Sequence, residues 1–131
     1  MIGLDTNVII RYLLQDDTKQ TKKATKLIES FCSSESPCWL SIIVMCELTW
    51  VLRSTYNLDK QTINKIVENI LLTSQFQVAQ SDLVREALIK CQHSNLDFPD
   101  ALIGRLNHSD GCKTTVTFDK KACHSRDFSM V

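Results

Sequence analysis

The 131-residue chain is 44% hydrophobic, enough to bury the core of one domain, residues 1–131, and its 15 Lys and Arg balance 15 Asp and Glu. That balance excludes a uniformly basic nucleic-acid binder, although acids collected at one place would leave the remaining surface basic. The start Met1-Ile2-Gly3-Leu4-Asp5 has no basic n-region and no apolar run is long enough to span a bilayer, so the expectation is a cytoplasmic chain without a membrane partner.

The elements alternate between short apolar runs and amphipathic helices, an α/β pattern without internal repeats or low-complexity linkers. Met1 to Leu4 reads as a first strand, and Asp5-Thr6-Asn7 as the turn into a short helix around Val8, Ile9, Tyr12 and Leu13. Asp17 followed by Gln20 resembles a capping box, ahead of Ala24, Leu27, Ile28 and Phe31 on one helical face. After Ser36-Pro37, Cys38-Trp39-Leu40 is strand-like, and Ser41 caps a helix from Ile42 to about Arg53 that is apolar nearly all round. Asp59 caps the next helix, with a stripe of Ile63, Ile66, Val67, Ile70 and Leu71.

Phe76 to Ala79 reads as a strand, and Ser81 starts a helix carrying Leu83, Val84, Ala87, Leu88 and Cys91. Pro99 suits the first turn of a further helix that runs through Leu106 toward Gly111. The β-branched run Thr114 to Thr117 is then a strand that delivers Asp119 at its end. The six cysteines form no C-x-x-C pair, which argues against zinc. Cys46 and Cys91 fall on apolar helical faces, the usual place of a reduced cysteine, and a reducing compartment fits best. The aromatic residues Tyr12, Trp39, Trp50 and Tyr56 read as mostly core, and His93, His108 and His124 as surface.

Four acids stand out: Asp5, Glu47, Asp100 and Asp119. In an open parallel sheet the ligand site lies outside the carboxyl ends of the strands, where Asp5 and Asp119 emerge, while Glu47 and Asp100 come from helices. Clustered carboxylates raise one another's pKa, and a fold tolerates them mainly when a divalent cation neutralises them. Singly, Asp5 reads as a helix cap, Asp100 as a charge complementing a helix dipole and Asp119 as a turn residue. Glu47 has no such reading, because an acid among Val44, Met45, Leu48 and Val51 is costly if unpaired.

The start Leu4-Asp5-Thr6-Asn7, the segment Trp39-Leu40-Ser41-Ile42 through Cys46-Glu47-Leu48, the run Asp97-Phe98-Pro99-Asp100-Ala101-Leu102-Ile103, and Thr117-Phe118-Asp119 together resemble the signature of PIN-domain proteins, most nearly toxins of the VapC type. The resemblance covers essentially the whole chain, in order. It implies a three-layer α/β/α fold around a central, mostly parallel sheet. It further implies an endoribonuclease that hydrolyses phosphodiester bonds in structured RNA of the tRNA or rRNA class, leaving a 5′ phosphate and a 3′ hydroxyl.

By that resemblance Asp5, Glu47, Asp100 and Asp119 form the catalytic quartet. Asp5, Asp100 and Asp119 hold one or two Mg²⁺ or Mn²⁺ ions, hard cations that select oxygen ligands, and Glu47 orients or deprotonates the attacking water. Thr6, Asn7, Ser41 and Thr117 are supporting or substrate-contacting groups. Asp97 reads first as a helix cap and second as an electrostatic helper. The implied partners are RNA, a VapB-type antitoxin and a second copy of the chain. Only Phe128 to Val131 remains for the family's last strand. Two further classes stay open: a PIN-type scaffold that binds RNA or protein without cleaving, and a structure-specific DNA nuclease. A phosphoacceptor receiver domain fits less well, since it does not place an acid inside a helix. Lys19, Lys22, Lys23 and Lys26 share a helical face that is either solvated or set against RNA phosphates.

Overall fold

In the computed structural model, which describes residues 1–16 and 18–131, six α-helices and four strands follow one another in α/β order, with one short 3-10 helix, Ala122–His124, before the last strand. Helix α1 (Thr6–Leu14) starts directly after the first chain segment, and α2 (Thr18–Phe31) follows. The capping box expected at Asp17 falls outside the described residues. Strand β1 (Cys38–Leu40) leads into α3 (Ile42–Ser54), then α4 (Lys60–Leu72), β2 (Phe76–Val78), α5 (Ser81–Gln92), α6 (Phe98–Ser109), β3 (Thr115–Thr117) and β4 (Phe128–Met130).

Every strand pairing is parallel, as the α/β pattern requires, but the strands are three residues long and the ladders fall into two pairs. β1 pairs with β2 in the register Trp39 to Gln77, and β3 with β4 in the register Val116 to Ser129. The anticipated first strand shrinks to one bridge, Gly3 to Trp39, held by Leu4 N donating to Trp39 O at 3.0 Å and Trp39 N donating to Ile2 O at 2.7 Å. The terminal strand forms from Phe128, Ser129 and Met130. Gly104 makes this possible: a Cβ there would lie 2.7 Å from the Phe128 ring and 2.9 Å from the Asp127 Cβ.

Helix α3 is the hub. It packs against α1, α4 and α6, burying Val44, Met45, Leu48 and Leu52 in the core shared with Ile9, Ile28, Leu40, Val67 and Leu102. Its N-terminus is capped as expected, Ser41 Oγ accepting from Val44 N at 3.2 Å, and Asp59 likewise caps α4, accepting from Thr62 N at 2.8 Å. Two sequence expectations fail on exposure. In α2 the buried stripe is Thr21, Ala24 and Ile28, while Leu27 and Phe31 face solvent, because the helix touches the body along a narrow seam with α1. In α3 the apolar composition does not mean all-round burial: Ile43 and Trp50 are exposed, on the same stripe as Glu47.

Cys32 and Cys38 are joined in a disulfide, their Cα atoms 5.2 Å apart, which the reading of a reducing compartment did not anticipate. The end of α2 turns straight back into β1, bringing two cysteines six positions apart within the usual bridging distance. Cys46, Cys91, Cys112 and Cys123 are free, and burial raises the thiol pKa of both Cys46 and Cys91 above the ordinary value. The three histidines are exposed, as anticipated. Among the described residues no helix is long and apolar enough to cross a membrane.

Candidate active site

Helix α3, which carries Glu47, contacts both α1, which follows Asp5, and α6, which carries Asp100. At one of its contacts, Thr6 in the first turn of α1 donates through its hydroxyl to Glu47 Oε2 at 3.3 Å. Thr6 is itself buried, so its hydroxyl needs this acceptor and in turn fixes the carboxylate. Asp5, next in the chain, occupies the cap position of α1 without a side-chain capping bond, which leaves its carboxylate to solvent. The helix-cap reading of Asp5 therefore fails at the level of the side chain.

At another contact of α3, Arg53 pairs with Asp97 at 3.6 Å, and Asp97 precedes α6. Asp97 stands at the cap position but makes no side-chain capping bond, so the capping role expected for it is not played; its carboxylate is turned to Arg53 instead. One turn on, Asp100 is half-buried. Its pKa is raised first by burial, then by the negative charges of Asp97 and Asp119. This electrostatic reach joins the third and fourth acids of the quartet across the gap between α6 and the end of β3. Asp119 itself is exposed in a turn, its Oδ1 accepting from Lys121 N at 2.9 Å, and its own N–H donating to Thr117 Oγ1 at 3.0 Å.

Each supporting residue has a defined place. Thr6 positions Glu47, Thr117 shapes the turn of Asp119, and Ser41 spends its hydroxyl on the cap of the helix that carries Glu47. Asn7 is exposed at the start of α1, where it lines a separate groove between α1 and α2 with Val8 and Leu27. Glu47 is exposed rather than buried among apolar neighbours, so the argument from burial cost that singled it out does not hold. What marks it instead is its bond to Thr6 from another element.

The donor set is chemically that of a hard cation. Among the described residues, however, no three His, Cys, Asp or Glu side chains converge tightly enough to cage an ion. A magnesium-type ion keeps most of its water and takes one or two carboxylates directly, so it does not require such a cage. The accumulated negative charge at Asp100, with Arg53 engaged on Asp97, is what such an ion would neutralise.

Sequence reasoning missed two groups. Arg53 and the part-exposed Lys60 border a cavity beside Asp97, together with Trp50, which is 66% exposed rather than in the core. The spacing of Trp50 and Arg53, three positions apart on α3, was the available signal. Asp127, immediately before β4, is buried and pairs with Arg105 at 3.3 Å and Lys90 at 3.5 Å. An acid at the edge of the last apolar run was its only trace.

The sequence model of the PIN domain matches residues 2–126 of the chain. Among curated proteins, none matches it significantly.

Proposed function

The chain belongs to the PIN-domain family, a nuclease-type module, and from that premise we propose that it is a metal-dependent endoribonuclease, the toxin of a toxin–antitoxin pair, cutting structured RNA. The observation that carries the reading is the half-buried Asp100 at the start of α6, its pKa raised by burial and by the charges of Asp97 and Asp119, with Thr6-held Glu47 on the helix packed against α6. A half-buried acid whose pKa is raised by neighbouring acids in an accessible place marks a site more often than a scaffold.

Asp5, Asp100 and Asp119 are the residues that would hold Mg²⁺ or Mn²⁺, as one or two ions. When bound, the cation supplies positive charge against the phosphoryl oxygens of the transition state. Glu47 orients the attacking water and accepts its proton, and Thr6 keeps the carboxylate from rotating away. The exposed Ile43 and the groove between α1 and α2, with Val8, Ala24 and Leu27 in its wall, support protein partners, a second copy and a VapB-type antitoxin. The proposed location is cytoplasmic; the Cys32–Cys38 bond, unusual in a reducing compartment, weighs against it.

One observation favours a second reading, a PIN-type module that binds without cutting: among the described residues no three of the acids converge. Mapping new 5′-phosphate ends in total bacterial RNA, incubated with the protein and Mg²⁺ or Mn²⁺, separates the two. Discrete metal-dependent ends that vanish with Asp5→Asn support cleavage and identify the target. Identical end maps from both proteins, with metal binding measured independently, transfer the case to the non-cleaving module. A single-stranded or flapped DNA cut in preference to RNA moves the substrate to DNA.

A further inference from the structure

We propose that the cavity between α3, α4 and the start of α6 takes one unpaired nucleotide of the substrate, its base stacked on Trp50 and its phosphate against Arg53 and Lys60. This rests on the nucleic-acid-cleaving reading above and extends it to the shape of the substrate.

The cavity encloses about 290 Å³ and mixes apolar, cationic and hydrogen-bonding walls. Trp50 projects from a helix whose opposite face is fully in the core, and at 66% exposure it offers a large aromatic face with no apolar cover. An aromatic ring beside cations is the usual platform for an unpaired base, because every base has a π-face and every nucleotide a phosphate. Arg53 meets Asp97 through one terminal nitrogen at 3.6 Å, both side chains more than half exposed, a weak pairing that leaves most of the guanidinium fork for a phosphate. Lys60 donates one proton to Ser94 O at 2.6 Å, which aims its ammonium and leaves two more N–H groups.

The floor supplies a reader of base edges. Asn64 is 6% exposed and lines the cavity; its Oδ1 accepts from the Cys91 thiol at 3.3 Å, which leaves the amide N–H groups as donors. Asp97 lies on the cavity wall at the cap position of α6 and Asp100 follows in the first turn of that helix, so the nucleotide would flank the acidic end of α6. A base within a duplex has both faces stacked and cannot enter. The substrate is therefore a loop, bulge or single-stranded end.

The test uses the chain's two tryptophans, of which Trp39→Phe leaves Trp50 as the sole tryptophan, read with excitation selective for the indole. Titration in EDTA with a short unpaired RNA is expected to quench Trp50 to saturation, with a perfect duplex of the same sequence binding far more weakly. In anisotropy titrations with labelled RNA, Trp50→Ala should weaken binding roughly tenfold or more and Trp50→Phe should restore most of it. Arg53→Gln and Lys60→Gln should each lower the salt slope by about one. Equal affinity for single-stranded DNA supports the stacking site and shows that the 2′-hydroxyl is not read. No quenching, unchanged affinity in Trp50→Ala, or duplex bound as tightly as single strand would overturn the proposal. Dissociation of a dimer by Trp50→Ala without loss of RNA affinity would overturn it in favour of a second copy on this face. RNA cut without dependence on Trp50 sinks this inference alone; binding through Trp50 without any new 5′ ends sinks the cleavage reading alone.

Discussion

Asp127 and Asp100 are the same residue type on opposite terms with their surroundings. Asp127 is buried at the foot of β4 and faces two cations, Arg105 from α6 and Lys90 from α5. Asp100 is half-buried at the start of α6 and faces two more acids. A carboxylate whose charge is answered within the fold serves the fold. One whose charge is left over, where solvent and ligand have access, costs stability that only a function explains.

The largest expected effect comes from breaking the compensated site. Asp127→Ala should lower the unfolding free energy by about 3 kcal/mol or more, since it strands Arg105 and Lys90 near the α5–α6 contact. Chemical denaturation measures this, and a loss below about 1 kcal/mol would mean that the pair is not structural. Gly104→Ala tests the same corner sterically. The added methyl would press on Phe128 and Asp127, and the expected cost is about 1–3 kcal/mol.

A smaller effect is expected where the acid cluster meets the core. Thr6→Val removes the donor to Glu47 and should cost about 1 kcal/mol of stability, while cleavage falls because the carboxylate is no longer held. Full activity in a folded Thr6→Val protein would detach Glu47 from that tether.

Much of the fold was legible because its signals are local. Ser41 and Asp59 cap the helices that follow them, and Pro99 opens α6 as its sequence context suggests. The parallel pairings followed from the same α/β alternation. What was not legible depends on which side of an element faces the body. Composition made α3 look buried all round, which misplaced Trp50 in the core and gave Glu47 the wrong physical reason. Asp97 carries the sequence of a cap but answers Arg53, a partner from another helix. Asp127 and Gly104 depend on contacts between α5, α6 and β4 that no short window of sequence contains. The Cys32–Cys38 bond arises from the path between α2 and β1, which spacing alone left undetermined.

The pH dependence of Asp100 brings the comparison to its sharpest form. Its pKa is raised in the fold, so the native state holds the proton more tightly than the unfolded chain. Stability from this group is present at pH below the ordinary carboxylate value and is lost as pH rises through the raised one. Asp100→Asn removes that loss. The most direct measurement is therefore a pair of readings on one variant: thermal unfolding of wild type and Asp100→Asn from pH 4 to 7 in EDTA, beside RNA cleavage with Mg²⁺. Asp100→Asn is expected to melt higher than wild type at neutral pH, by a margin that shrinks toward pH 4, and no longer to cut. A variant that melts lower and still cuts would contradict that expectation.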